Sequence, residues 1–356
     1  MPYNIAMNHL QIILPFGIPP AAMAADLLNE LKTPAFSKLI ALSLHKGTRK
    51  SADFARLLPH ESLFAGDLPL SNAANDDPTK LMKQEDRMCS PATTHNKMQE
   101  FGLTPTEGFW FTLSPVHIHI ARDHLVLTDQ RKLKLNDEEA NALFEAAKTM
   151  CDEVGKTLLY GDAKTWFLRA DEWRDLQTAT MDAACGHNID IWMAKGEHGL
   201  PWRKLQNEIQ MLWFIHDVNS KREARGANLI NSVWLHGGSA ALTPSPEIFD
   251  TSLTLDQAIK LDREQATINL DALLAPALNN DWPGWIDALH SLEKEWFAPL
   301  LQALGDKKIR QISLIATDAN KVSTFHLTPR RLWNFWTKPS LNKLFSISID
   351  EAAENS

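Results

Sequence analysis

Four groups of side chains in this sequence have the types and spacing to do chemistry. The first is PVHIHIARDH, Pro115 to His124. On a strand, His117 and His119 point to one face while Val116, Ile118 and Ile120 point to the other. Two imidazoles on one face, with Asp123 and His124 just beyond, could coordinate zinc. The same alternation also describes a half-buried strand with a wet polar face. The second group lies on a helix that begins near Trp202. Trp202, Leu205, Ile209, Leu212 and Trp213 form an apolar stripe at helical spacing. At about 100° per residue, His216 falls near the middle of that stripe, Glu208 at its edge, and Asn207 and Gln210 on other faces. A histidine on an apolar face needs a hydrogen-bond partner, so the ordinary reading is a satisfied core histidine. The sharper reading has His216 and Glu208 looking into a polar pocket.

The third group is DVNSKREARGAN, which packs Asn219, Arg222, Glu223, Arg225 and Asn228 into a dozen residues. Such density is either a buried ion-pair network or an anion site, and the planar fork of arginine suits both. The fourth is NSVWLHGGS, Asn231 to Ser239. It reads as a short strand, with Trp234 in its apolar core, running into a Gly237-Gly238 turn. Such a corner often holds a ligand in an α/β protein. A buried asparagine can donate and accept at once. The stretch is therefore expected to be a structural corner first. Asn231 would tie two segments together with Arg222, Glu223, Asn228 and His117 as partners, around a small polar pocket.

Several familiar chemistries are unsupported. There is no GxGxxG, no GxxxxGK[ST], no GxSxG and no HExxH. A net charge of −8 argues against a nucleic-acid surface, which needs clustered Lys and Arg. Cys89, Cys151 and Cys185 are odd in number and form no CxxC pair. That pattern fits inert thiols in a reducing compartment. The N-terminal apolar run is far too short to span a bilayer, and no basic leader precedes it. A cytoplasmic location is expected.

The elements that must position these groups read as a mixture of strands and helices. Leu10 to Leu14 reads as a buried first strand, stopped by Pro15 and Gly17. Helices are expected after Pro19-Pro20 and over 35–44, 137–151, 202–214, 256–304 (broken at Pro283) and 330–336. Strands are expected at 109–113, 116–120 and 125–127. Hairpins are expected at 158–168 and 312–325. The fold class is α/β, with a mixed sheet flanked by helices and with β-hairpins. At 356 residues roughly two domains are expected. Residues 1–70 read as an N-terminal α/β part and 71–101 as an exposed polar linker. Residues 102–348 read as the main α/β domain, and 349–356 as a disordered tail. Most of the twelve tryptophans read as core.

The run NEIQMLWFIHDVNSKREARGANLINSVWLHGG resembles the signature of the RpfE-type regulatory proteins, often described as cofactor-independent phosphoglycerate mutase-like. SPVHIHIARDHLVLTD is similar to a second signature of that family. LKTPAFSKLIALS, LNDEEANALF and the Trp-rich C-terminus follow in the family's order, so the similarity covers most of the chain. By resemblance the motif positions in the first half are Pro115, Val116, His117 and Asp123. In the helical segment they are Asn207, Glu208, Gln210, Met211, Asn219, Arg222, Glu223 and Gly226. In the last stretch they are Asn231, Trp234, Gly237 and Gly238. His236 and Ser239 depart from the pattern, where the family has another aromatic and a third glycine. The polar insert before Gly102 is longer than in the family.

The resemblance implies a fold distantly like alkaline phosphatase. Mutases of that superfamily use two metal ions and a serine nucleophile. The resemblance implies a metal-binding Asp directly after the first strand. Here that strand leads into Pro15-Phe16-Gly17-Ile18-Pro19-Pro20, with no acid. Late in the chain only His326 and Asp318 stand out as isolated candidates. The expectation is therefore a non-catalytic binding or regulatory protein with no cofactor. Its partner would be a small anionic ligand or another protein, without nucleic acid or membrane. The alternative is a metal-dependent phosphoesterase or mutase, which would need His117, His119, Glu208 and His216 to converge.

Overall fold

The computed structural model describes residues 7–52, 54–66, 89–104, 107–261, 263–334 and 336–349. Its strands are β1 (His9–Leu14), β2 (Leu44–Lys50), β3 (Trp110–Val116), β4 (Ile118–Ala121), β5 (His124–Leu127), β6 (Thr157–Asp162), β7 (Thr165–Arg169), β8 (Ser232–Ser239), β9 (Gln265–Asn269), β10 (Ile312–Thr317) and β11 (Lys321–Leu327). They fall into two compact units that do not follow the expected division of the chain. Among the described residues, one unit joins 7–51 to 246–349. The other joins 52–66 to 89–245.

The first unit is built on a mixed five-stranded sheet in the order β2-β11-β10-β1-β9. β1 runs parallel to both β10 and β9, and β11 returns antiparallel to β10. Alternation along β1 decides the core. Leu10, Ile12 and Leu14 join a cluster with Phe36, Trp285, Phe297 and Leu300 from the helices. Gln11 and Ile13 take the opposite face, where Gln11 accepts from Thr267 Oγ1 at 3.0 Å. β9 falls where a helix was expected. QATIN carries adjacent β-branched residues and pairs with β1, which overrides the helical neighbours on both sides. β2, LHKGTRK, begins at the last residue of the expected 35–44 helix. It is a charged edge strand, and its lysines guard an open edge. Pro283 starts the Trp282–Leu292 helix instead of breaking it.

The second unit contains the antiparallel sheet β6-β7-β3-β8 and the hairpin β4-β5. Phe111 and Leu113 of β3, Trp166 and Leu168 of β7, and Val233 and Leu235 of β8 share one face. They pack with Phe144, Trp202, Ile209 and Trp213 of the Asp137–Glu153 and Gly199–Phe214 helices. The Asn136 side chain caps the first of these helices, accepting from Glu139 N at 2.8 Å. On the opposite face Trp110 and Phe167 pack with Met98.

Met98 lies in the expected linker. Residues 71–88 of that stretch fall outside the described residues. The rest is folded: Thr94–Glu100 is a helix with Thr94, His95 and Met98 buried. Its inward residues are mostly polar, so no apolar stripe announced it. Of the expected tail, Ile349 ends the Asn342–Ile349 helix, and 350–356 fall outside the described residues. Among the described residues no helix is long and apolar enough to cross a membrane.

One helix start is held from a distance. Thr33 precedes the Pro34–Leu42 helix, but its side chain makes no capping bond and its Oγ1 is buried without a partner. Glu293 does the capping, accepting from Ala35 N at 2.6 Å and Phe36 N at 2.9 Å. It sits in a π-helical turn, Glu293–Phe297, which re-aims its carboxylate within a longer helix. Glu293→Ala should therefore cost about 1–3 kcal/mol, by leaving one buried and one half-buried N–H group unmet. Thr33→Val should be neutral or slightly stabilising. Urea unfolding of the two variants checks the contrast.

Candidate functional site

The motif residues of the second unit form a connected polar scaffold. Arg222, fully buried, is its hub. Its guanidinium donates to Glu139 Oε2 at 2.6 Å, to the Leu133 carbonyl at 2.5 Å and to the Asn228 carbonyl at 2.7 Å. Arg225 reaches the other oxygen of Glu139 at 2.6 Å. One turn before Arg222, Asn219 donates to the carbonyls of Trp213 and Ile230 and accepts from Ile230 N, each at 2.8 Å. The third group is thus a buried ion-pair network, with Glu223 exposed at its edge.

Asn231 continues the scaffold. Its side chain pairs with the backbone of Ile118 in both directions, at 2.8 Å from Ile118 N and 2.7 Å to Ile118 O. Its partner is this backbone, and not the expected Arg222, Glu223 or Asn228. His117 Nδ1 donates to the Leu229 carbonyl at 2.8 Å, so the two motifs are joined twice. Burial lowers the His117 pKa below its ordinary value.

Gly237-Gly238 is not a turn. β8 runs through it to Ser239, and the register against β3 shifts there. Gly237, at φ +72°, is the left-handed residue of a β-bulge. Its N–H donates to Ser90 Oγ at 2.8 Å and its carbonyl accepts from Thr94 Oγ1 at 2.6 Å. A Cβ on Gly238 would lie 2.6 Å from the Phe111 ring. Ser239, a departure from the resembled pattern, bonds His95 Nδ1 at 2.7 Å. His236, the other departure, is held down at about 3 by burial and so stays neutral. Trp234 donates Nε1 to the Ala179 carbonyl at 2.8 Å.

The helical candidates are not gathered into a pocket. The Gly199–Phe214 helix ends before His216, which is extended and caps the next helix by accepting from Val218 N at 3.2 Å. It therefore leaves the apolar stripe. Glu208 stands near Lys204, at 4.0 Å, and Asn207 is exposed. Asp123, outermost, bonds only its neighbour His124 at 3.0 Å. Among the described residues no three His, Cys, Asp or Glu side chains are placed to hold a metal ion.

Among its described residues the first unit offers no such set either. At the end of β1 the Phe16 N–H donates to Thr317 Oγ1 at 3.3 Å, and its carbonyl accepts from Trp285 Nε1 at 2.9 Å. Asp318 accepts from Asn320 N and Lys321 N in a tight turn. His326 lies near the far end of β11, roughly 15–20 Å along the strand. A groove of about 390 Å³ between helices has Leu28, Leu341 and Phe345 in its walls and no ionisable lining.

Sequence reasoning missed one cluster, in the second unit. The Glu61 carboxylate accepts from Leu58 N and Thr180 Oγ1, both at 2.7 Å. Desolvation and the nearby charge of Asp182 push its pKa up to about 8. Asp182 in turn holds Arg131 through two bonds, at 3.2 and 2.7 Å, and Asp129 meets the same guanidinium at 2.8 Å. These three charged side chains border a cavity of about 50 Å³, with Cys185 in its wall. Burial pushes the Cys185 and Cys151 thiols up to about 12, which makes both inert. Only Glu61 at the third helical position was a local signal, and it speaks of capping alone.

No family model matches this sequence. No curated protein matches it either. Two solved structures are similar in outline. The cofactor-independent phosphoglycerate mutase of Thermoplasma acidophilum aligns over 90% of both chains, with a TM-score of 0.38 and 12% identity. The PH0037 protein of Pyrococcus horikoshii aligns over 91% of this chain and 88% of its own, with a TM-score of 0.49 and 12% identity. Likeness at this level carries neither an activity nor a residue role to this chain.

Two expected outcomes test the scaffold and the missed cluster. Arg222→Leu should cost about 3–5 kcal/mol, because Glu139 and two carbonyls lose a buried partner. Asn231→Leu should cost about 1–3 kcal/mol. Chemical denaturation measures both. Glu61 has a folded pKa above its ordinary 4.5, so its contribution to stability is full below that value and is lost as pH rises through about 8. Glu61→Gln removes that loss. Its melting temperature relative to the parent should climb between about pH 5 and pH 9; a flat difference would contradict the assignment.

Proposed function

We propose that this protein is a non-catalytic binding protein of the regulatory kind, and that a protein partner docks on the exposed ridge of the Gly199–Phe214 helix. The fate of the motif side chains carries the reading. Asn219, Arg222, Asn231 and Trp234 are committed to internal hydrogen bonds. Asn207 and Met211 are motif positions that face outward instead. At about 100° per residue they share one ridge with Leu200 and Phe214, within roughly 60° of each other. Met211 is 75% exposed, Phe214 79% and Ile215, just past the helix, 75%. Large apolar side chains grouped on one helix face suit the groove of a partner.

A small anionic ligand has less support. Arg222 and Arg131 already meet carboxylates, so neither offers an open fork. The catalytic alternative needs His117, His119, Glu208 and His216 at one point, and His216 and Glu208 are occupied separately. The resemblance to RpfE-type regulatory proteins agrees with a binding role. A cytoplasmic location agrees with three cysteines that are free.

The test pairs a photo-crosslinker at Asn207 with the double variant Met211→Glu, Phe214→Glu. The variant should melt within about 2 °C of the parent, since both residues are exposed. It should lose the crosslinked partner seen with the parent. Manganese-loaded protein should not turn over phosphate monoesters or phosphoglycerates. Turnover abolished by His117→Ala or His216→Ala would overturn the reading, as would crosslinking that survives the double variant.

A further inference from the structure

At the start of the hairpin β4-β5 the scaffold and the docking ridge leave two imidazole edges unused: the Nε2 side of His117, whose Nδ1 joins the motifs, and the Nε2 side of His119. His117 and His119 lie on one face, with ring centroids 5.8 Å apart and planes 12° from parallel. His119 is exposed, and His117 is half-buried. Both rings are held at Nδ1. His117 Nδ1 faces the Leu229 carbonyl at 2.8 Å, and His119 Nδ1 faces the Thr128 hydroxyl at 3.0 Å. A carbonyl can only accept, so His117 carries its proton on Nδ1 and its lone pair on Nε2. Thr128 can accept from His119 in the same way. This is the outer shell that metal-binding histidines need: the second ring N–H bonded to oxygen, which fixes tautomer and orientation.

We propose that His117 and His119 chelate a borderline divalent transition ion, of the copper, nickel or zinc class, through their Nε2 atoms. Imidazole selects those ions over magnesium or calcium, which want oxygen. Bonds of about 2.0–2.1 Å need the two Nε2 atoms roughly 3–4 Å apart. The exposed His119 can turn to set that separation while its Nδ1 stays on the Thr128 hydroxyl, which rotates with it. Water completes the coordination. With two protein ligands, and no carboxylate cluster beside them among the described residues, the site is proposed as a binding site. His124 shares this face of the hairpin, opposite Ala121, and is paired to Asp123.

The probe is nickel chloride titrated into the chelator-stripped full chain, followed by calorimetry. The parent should take up one equivalent, copper should bind more tightly than nickel, and magnesium should give no heat. His119→Ala, at an exposed position, leaves the fold intact and should abolish the one-site isotherm. His117→Ala should do the same. Thr128→Val keeps both ligands and should weaken binding by about tenfold, through loss of the outer-shell bond. Absence of a one-site isotherm in the parent, or an isotherm unchanged by His119→Ala, would overturn the proposal. The Met211→Glu, Phe214→Glu variant should bind nickel like the parent, so this site and the docking ridge stand or fall separately.

Discussion

A guanidinium taken wholly out of water must find an acceptor for each N–H it turns inward. Arg222 is in that position, and its acceptors come from three places in the chain: Glu139 on one helix, Leu133 in the segment before it, and Asn228 just after its own helix. The pair with Glu139 adds little net stability, since desolvating two charges offsets most of their attraction. Removing one member is costly, and that asymmetry fixes the local geometry. Asn219, one turn away, is satisfied against Trp213 and Ile230. Ile230 brings Asn231 to Ile118, and Leu229 meets His117. The helices, β8 and the hairpin are positioned by a continuous sequence of buried polar bonds.

The opposite face of the same sheet follows the same rule with neutral groups. Thr94, Thr112, Ser90, Thr178, Ser239 and His95 bond one another around the Gly237 bulge. His236 stays uncharged there, as burial requires. Further along, Glu61 keeps its proton near neutral pH because burial disfavours its charge and Asp182 repels it. These layers are satisfied internally, which leaves reactive chemistry little to work with. What faces outward is apolar on the helix and imidazole on the hairpin.

Much of this architecture was legible in the sequence, where a single period dominated. Leu10 to Leu14, the two hairpins, and the Trp202–Trp213 stripe read correctly because their apolar residues alternate or recur at helical spacing. The mixed α/β class followed from them. Asn219, Arg222 and Asn231 were legible as a group, but not their partners, since sequence distance says nothing about which backbone a side chain will meet. The rest was hidden for identifiable reasons. β9 sits between helices and is only five residues long. The Thr94–Glu100 helix buries polar residues whose partners lie over a hundred positions away, as with Gly237 and Ser239. His216 was misplaced because the helix stops two residues before it. Gly237-Gly238 imitates a turn and is a bulge within a strand.

The central claim is that the two motifs are scaffold, held by side-chain bonds to the backbone as firmly as the sheet is held by its own ladder. Native-state hydrogen exchange at the amides of Ile118 and Ile230 tests it most directly. The first donates to the Asn231 side chain and the second to that of Asn219. A scaffold requires both amides to exchange only through the opening that releases Leu113 and Val233 in the sheet core, with the same free energy. Exchange of Ile118 and Ile230 through a separate, cheaper local opening, while the core amides stay protected, would contradict it and mark the motifs as a mobile functional loop.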